Sequence, residues 1–385
     1  GPGSVGASHV NARKQSRRKG MSSRLELRLA AAAAAGAAGA LALWVGGSKL
    51  KTYLQRLLYR TPKIPTRRLA EGVHIPMIGF GTAFFSNAGG GTRRPELAYK
   101  VVDIGLKAGY RHIDTAHQYG CEYQIGALLG KAFQEGIIAR EDVHITTKVG
   151  HPPTKDYPNA RTRYLYDPEC CSYEGVLADF HESLQRLGVG YVDLVLLHWP
   201  GMFDFPDRFQ PDFRFTMPSK EAARSKRLDM WRALEALHAQ GLVRAIGVSN
   251  FTDDHLRHLL DHCSIKPVMN QLEVHPYHQQ PKLLSFCEDN GITVTAFSPL
   301  GGGEINVLGD PEIVRRARAH GVSPAQFVLA WHICRGIVVV PRFETMKEAL
   351  QNLFAASCTL TEEDMTAMAA LDRGLRIRAD PSLIP

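Results

Sequence analysis

The chain has 385 residues, 46 of them basic and 38 acidic, for a formal net charge of +8, with 44% hydrophobic and 22% charged side chains. That composition supports a large core and excludes wholesale disorder or a fibrous protein, and parallel barrels often run to about 250 residues or more as one unit. The charge does not mark a nucleic-acid binder, because residues 1–70 hold 14 basic side chains and one acidic, so a tail of +13 precedes a body of −5.

The tail has three parts. Residues 1–28 are polar and basic, Leu29–Ser48 carries no charge and contains ten alanines, and residues 49–68 are basic again. Gly1-Pro2-Gly3-Ser4 reads as a cloning remnant or the edge of a fragment, with Met21 as a candidate start. Twenty helical residues would reach across a bilayer core, although alanine is a weak membrane residue. Leu50, Tyr53, Leu54, Leu57 and Leu58 recur at helical spacing beside Lys49, Lys51, Arg56 and Arg60, a pattern suited to an anionic membrane surface. Three readings stand: a targeting or transit segment, a retained anchor giving membrane association through residues 29–60, and a disordered tail with no membrane role. The first two put the protein in an organelle or on a membrane; the third leaves it cytoplasmic. The expected division is an extension over 1–71 and a barrel domain over 72–385. The seven cysteines are scattered, without a CxxC, and are expected to be reduced.

From residue 72 onward, short β-branched runs alternate with amphipathic stretches. Strands are predicted at Ile75–Thr82, Arg111–Ala116, Val143–Val149, Tyr191–Trp199, Arg244–Asn250, Val268–His275, Thr293–Leu300 and Ile337–Pro341. Helical patterns fall near 95–109, 121–135, 172–188, 226–240, 253–263, 279–290 and 323–335, with two more near 346–355 and 361–372. Runs such as Val192–Leu197 and Ile337–Val340 are nearly continuously apolar, as strands covered on both faces of a parallel sheet are. The pattern is that of a (β/α)8 TIM barrel, whose chemistry lies at the C-terminal strand ends. An open doubly wound sheet is the alternative, weakened because no GxGxxG follows the first strand.

That rule directs attention to the strand ends. They carry Asp114 with Tyr119 five residues on, Lys148, His198, Ser249-Asn250, Asn270-Gln271 and Ser298. Each alone has a structural reading as a cap, a solvated strand end or a core histidine, but the set at one rim suits proton transfer. A nearby lysine cation is expected to lower the tyrosine pKa toward that of a working general acid. Asp114 would hold Lys148 charged and in place, and His198 would orient a substrate oxygen. A metal centre needs clustered ligands; Glu273 and His275 lack a third, and no metal is expected. No Gly-x-Ser-x-Gly elbow occurs.

These residues resemble the aldo-keto reductases. The matching stretches are Gly109-Tyr-Arg-His-Ile-Asp-Thr-Ala116 with Tyr119 and Glu122, Ile145–Val149, Asp193–Pro200, Gly247–Phe251, Asn270–Pro276 and Phe297–Gly301, in family order across about residues 72–372. The resemblance implies a barrel that binds NAD(P)H along its rim and reduces an aldehyde or ketone. It assigns Tyr119 as proton donor, assisted by Lys148 and Asp114, with His198 positioning the substrate. It also implies that Ser249, Asn250 and Gln271 hold the carboxamide, that Phe297, standing where Tyr is usual, stacks on the nicotinamide, and that Ser298 and Leu300 touch the pyrophosphate. The partner is then a small-molecule carbonyl compound, and a monomer is expected. A second reading is a catalytically weak, cofactor-sensing regulatory subunit on the same barrel, as in the potassium-channel β subunits of this family.

Departures concentrate at the adenosine end. Many members read Ile-Pro-Lys-Ser followed by an Arg; here Val340-Pro341-Arg342-Phe343 precedes Glu348, then Gln351-Asn352. Arg342 keeps one cation able to grip phosphate, and Asn352 completes the expected cofactor set. An acid at Glu348 would repel a phosphate if it faced the pocket, and as a solvated helix residue it would do nothing. NADPH is expected, with NADH use open. In the substrate pocket, Ala83 and Gly150 stand where bulky Trp side chains are common and Trp199 remains, so a larger carbonyl compound is expected to fit. The loops 150–171 and 201–225 look extended, the second rich in phenylalanine.

Overall fold

The chain enters through a short hairpin. Strands β1 (Thr66–Ala70) and β2 (Val73–Pro76) pair antiparallel, and Gly72 turns between them at φ +68°, a value open to glycine. This computed structural model describes residues 64–83, 95–150, 171–201 and 219–385. Of the extended loops anticipated at 150–171 and 201–225, residues 151–170 and 202–218 lie outside the described residues, while residues 220–225 are already helical; the tail through residue 63, with its targeting, anchor and disorder readings, also lies outside them. No helix among the described residues is long and apolar enough to cross a membrane.

Beyond the hairpin the described residues follow the alternation read from the sequence. The parallel strands are β3 (Phe80–Gly81), β4 (His112–Asp114), β5 (His144–Val149), β6 (Val192–Leu197), β7 (Val243–Ser249), β8 (Met269–Glu273), β9 (Thr293–Phe297) and β10 (Val338–Val339). They pair in sequence order, and Ile78 bridges to Val339 to bring the last strand beside the first. Gly79 N donates to Val339 O at 2.9 Å and Val339 N to Met77 O at 2.9 Å, closing a (β/α)8 barrel. Helices α1 (Pro95–Ala108), α2 (Glu122–Gln134), α3 (Tyr173–Leu187), α4 (Lys220–Ala239), α5 (Asp253–Leu260), α6 (Pro281–Asp289), α7 (Pro311–Ala319), α8 (Pro324–Cys334), α9 (Met346–Phe354) and α10 (Glu362–Ala369) follow in chain order. Local signals set several ends. Thr252, Ser323, Thr345 and Thr361 each open a helix by a capping box, and Gly188 ends α3 at φ +63°.

Three elements differ from expectation. The predicted first strand is divided: Ile75 belongs to the hairpin and Phe80 to the barrel, with Pro76, which has no N–H to donate, ending β2 before the chain turns in. Arg67, placed with the basic tail by its charge, lies in β1, donating to Thr293 Oγ1 at 3.1 Å and Gly336 O at 2.9 Å. The folded unit therefore reaches back past the expected division at residue 72. Helix α7 was not anticipated, although Asp310 caps it with Pro311 in its first turn.

Alternation along each strand sorts the side chains. Ile145, Val149, Val195, Leu197, Ile246 and Val248 face the helices in the main core. Leu194, Leu196, Ala245, Met269 and Val338 fill the barrel interior and pack on Val73, Ile75 and Met77 of the hairpin, which plugs the floor. The same inward face ends at the opposite rim in polar residues, at Asp114, Lys148, His198, Ser249 and Gln271. Cys263, Cys287, Cys334 and Cys358 are free thiols, as reduced cysteines should be.

Candidate active site

Asp114 closes β4 and Lys148 sits one residue from the end of β5, on strands paired in register His112 to His144 and Asp114 to Thr146. Both side chains are buried, and Lys148 Nζ donates to Asp114 Oδ1 at 2.6 Å and to Thr115 O at 2.8 Å. The second carboxylate oxygen accepts from Gln271 Nε2 at 2.7 Å, tying β4 to β8 across the mouth. A buried ion pair persists only when its remaining valences are met, and here both Asp114 oxygens have a donor. Burial pulls the Lys148 pKa down from the ordinary lysine value, and Asp114 works against that pull.

Tyr119 reaches this pair from the single 3-10 turn His117–Tyr119 that follows β4. Its hydroxyl lies 3.4 Å from Lys148 Nζ, and its ring meets that of His198 nearly edge-on at 5.8 Å between centroids. The turn is clasped from behind: His117 Nε2 is 2.8 Å from Glu182 Oε2 and its Nδ1 3.7 Å from Asp179 Oδ1, while the other Asp179 oxygen accepts from Gly150 N at 3.3 Å. One sequence expectation is corrected here. The Tyr119 pKa stands well above the ordinary value, raised by burial first and by the Asp114 charge next. The lysine does not reverse this, because Asp114 already neutralises it at 2.6 Å. Tyr119 is thus held as a phenol.

The neighbouring wall is a second network. Asn250, at φ +63°, donates from Nδ2 to His198 O at 3.0 Å and to Ser249 Oγ at 3.2 Å, and Ser249 Oγ donates to Gln271 O at 2.9 Å. Asp114, Tyr119, Lys148, His198, Ser249, Asn250 and Gln271 therefore form one connected mouth. Phe297 ends β9 next to Ser298, which adopts φ +48° and leads through Leu300 into Gly301, Gly302 and Gly303, all with positive φ. Arg342 donates from Nη1 to Ala83 O at 3.1 Å and lies 3.5 Å from Gly302 O.

Other expected residues sit differently. Gly150, at φ +65°, would aim a side chain at Val176 and Met230, 3.3 and 3.5 Å from its β-carbon, toward the helix layer. Its lack of a side chain therefore opens no space over the mouth. Trp199 is buried and packs on Ile384, and Asn352 is buried on α9. Glu348 neither faces the pocket openly nor sits idle in solvent: its carboxylate accepts from Glu344 N at 2.9 Å and Thr345 N at 3.1 Å, capping α9. Those bonds hold its pKa below the ordinary value, so the charge stays.

Sequence reasoning missed the partners that fix the mouth. Thr82 Oγ1 donates to Asp114 O at 3.1 Å. Thr147 Oγ1 donates at 2.7 Å to Glu122, whose carboxyl is fully buried and shifted upward by that burial. The Glu273 carboxylate receives Ile377 N at 2.7 Å and Arg378 N at 2.8 Å, fastening the C-terminal segment to the end of β8.

A nicotinamide dinucleotide fits what is present: polar amides beside the acid, an aromatic at the end of β9, and a glycine cradle closed at Gly302 by Ile377 and Arg378, which a β-carbon would meet at 2.9 and 3.2 Å. The comparisons agree. The model of the "Aldo/keto reductase family" matches residues 77–373. An aldo/keto reductase of Synechocystis sp. is 38% identical over 80% of this chain and 89% of its own. An NAD(P)H-dependent D-xylose reductase of Candida tropicalis is 32% identical over 83% and 96%. A crystal structure of an aldo-keto reductase complexed with NADPH superposes with TM-score 0.68 at 31% identity, covering 83% of this chain and 91% of that one. The chain belongs to the aldo/keto reductase family and is an NAD(P)H-dependent oxidoreductase.

Proposed function

We propose that Tyr119 is the general acid in the reduction of an aldehyde or ketone, supported by Lys148 and Asp114, with His198 orienting the carbonyl oxygen. The observation that carries this is the run of contacts from Gln271 through Asp114 and Lys148 to the Tyr119 hydroxyl, at 2.7, 2.6 and 3.4 Å. When bound, the reduced nicotinamide supplies hydride to the carbonyl carbon. As negative charge grows on the carbonyl oxygen, the Tyr119 O–H bond breaks and its proton passes to that oxygen, leaving a phenolate beside the Lys148 ammonium. Solvent then returns the proton. A raised tyrosine pKa suits this direction, since the group stays protonated until the oxygen becomes basic enough to take the proton.

Ser249, Asn250 and Gln271 are read as the carboxamide holders, Phe297 as the stacking face, and Ser298, Leu300, Arg342 and Asn352 as the path of the rest of the cofactor. NADPH is the expected donor, since Arg342 keeps one cation able to reach a phosphate; the core-facing Phe343, where a serine is usual, favours measurable use of NADH as well. Ala83 and Trp199 are read, from the resemblance, as substrate-pocket positions, and a sizeable carbonyl compound is the expected substrate. A monomer is the expected state, as the family resemblance implies. The uncharged, Ala-rich run over 29–48 and the basic stretch over 49–60 support an address or membrane-anchor role. Fractionation with a C-terminal tag checks it, and purely soluble, unprocessed protein would remove it.

The test is NADPH oxidation over a panel of aldehydes and ketones. Tyr119→Phe should lower kcat by about 10²–10⁴ with the Kd for NADPH unchanged. Equal turnover in both proteins would refute the assignment. Turnover in neither, with tight cofactor binding, would favour the regulatory reading.

A further inference from the structure

The C-terminal segment beyond α10 brings a second guanidinium to the glycine loop after β9. Glu273, at the end of β8, fixes the Ile377 and Arg378 backbone amides at 2.7 and 2.8 Å, so the Arg378 side chain starts from an anchored point. Its Nη1 pairs with Glu304 Oε1 at 2.6 Å. Its Nη2 lies on the cleft side, where a β-carbon built on Gly302 would stand 3.2 Å from it and 3.4 Å from Ser298 Oγ. Arg342 approaches the same residue from the other flank, 3.5 Å from Gly302 O. Two cations therefore converge on one glycine; burial first, and the Arg378 charge next, lower the Arg342 pKa from the ordinary value.

Like charges brought together on a rim raise the local potential for an anion. Among the described residues Arg378 pairs with the acid Glu304, which is 45% exposed, the arginine being 41% exposed; an exposed pair of this kind is weak and exchanges readily. A planar fork suits phosphate oxygens bidentately. Two guanidiniums match the two charges of a diphosphate better than the single charge of a substrate carboxylate. The close approach also requires Gly302, since any side chain there would push the guanidinium or Ile377 aside.

We infer that Arg378, together with Arg342, forms an anion-binding clamp over Gly302 that grips the diphosphate of the bound dinucleotide, releasing Glu304 as it does so. This rests on the dinucleotide reading of the cleft. It makes the C-terminal segment a strap over the cofactor.

Equilibrium binding of NADPH and of NADH to the full chain, without substrate, tests this by quenching of protein fluorescence, with thermal melting to confirm that each variant folds. Arg378→Gln should raise Kd about ten-fold for both dinucleotides, Arg378→Lys should raise it less, and Glu304→Gln should lower it about two- to three-fold by removing the competing carboxylate. Unchanged Kd values would overturn the clamp. A rise for NADPH alone would overturn the diphosphate assignment and point to the 2′-phosphate. Unchanged Kd values with a raised KM only for carboxylate-bearing aldehydes would give the site to the substrate. If the wild-type chain bound neither dinucleotide, the parent reading would fall and the clamp with it.

Discussion

The two ends of one barrel solve the same problem in opposite ways. Both bury titratable side chains on the inward face of the same strands: His112 and Asp114 on β4, His144 and Lys148 on β5. At the mouth the charges are kept and paired, with Lys148 on Asp114 at 2.6 Å. At the floor the groups are neutral. His112 Nδ1 lies 3.3 Å from Pro76 O and His144 Nδ1 3.2 Å from His74 O, both under the hairpin. Their rings meet edge-on at 5.1 Å, and burial drives both pKa values down to about 3. A charge held at the mouth can be used by the reaction, whereas each neutral imidazole at the floor serves as a structural tie, donating to a hairpin carbonyl, with His112 Nε2 also 3.3 Å from Thr146 Oγ1. Charge in this interior is therefore confined to where chemistry needs it.

The hardest test of that contrast is Asp114→Asn. It leaves the Lys148 ammonium buried without its counter-charge, and breaking a buried pair from one side costs about 3–5 kcal/mol. Denaturant unfolding should show a loss of this size together with loss of turnover. Full stability in the variant would mean that Lys148 sheds its proton when Asp114 is gone, and the mouth would then resemble the floor.

Acid should act on the floor. Each floor histidine is neutral in the folded chain down to about pH 3 but titrates near 6.5 when unfolded. Below that value the unfolded chain binds more protons than the folded one, so stability is full above about pH 6.5 and falls as pH drops toward 3. By linkage each such group removes about 2 kcal/mol by pH 5. His255 and His332, both depressed to about 4 by burial, add to the same trend. Melting between pH 7.5 and 5 should show a steep decline that His144→Leu makes shallower; an identical slope in the variant would remove the floor from the explanation.

How far each end could be read from the sequence follows from the range of its contacts. Asp114, Lys148 and His198 stand at the ends of apolar β-branched runs, so the barrel rule alone brings them to one rim. The floor histidines stand second in two of those predicted strands, and nothing in the sequence marks them as buried until the hairpin is seen beneath them. Arg378 lies in a polar segment without periodicity, and its anchor, Glu273, is 105 residues away. The sign of the Tyr119 shift escaped for a related reason: spacing names the neighbours but not the depth, and depth outweighs the lysine here. Helix α7 was hidden because Glu312-Ile313-Val314-Arg315-Arg316 offers few apolar positions. It is held by Arg316, which reaches Asp364 of α10 at 2.7 Å.

Helix α2 joins the two ends, starting just after the Tyr119 turn and descending the outside of the barrel. Two of its glycines give the smallest and most discriminating test. A helical Gly→Ala change ordinarily gains about 1 kcal/mol. At Gly126 a β-carbon would stand 2.4 Å from Arg186 O and 2.7 Å from Leu187 O, backbone atoms of α3 that cannot swing away. At Gly130 nothing lies within 4 Å. Gly126→Ala should therefore destabilise by about 1–3 kcal/mol through overpacking, and Gly130→Ala should stabilise by up to about 1 kcal/mol. If Gly126 sets only the spacing of α2 and α3, its variant should melt early yet keep the Kd for NADPH. A change in kcat beyond the stability loss would mean that α2 transmits its packing to the turn that carries Tyr119.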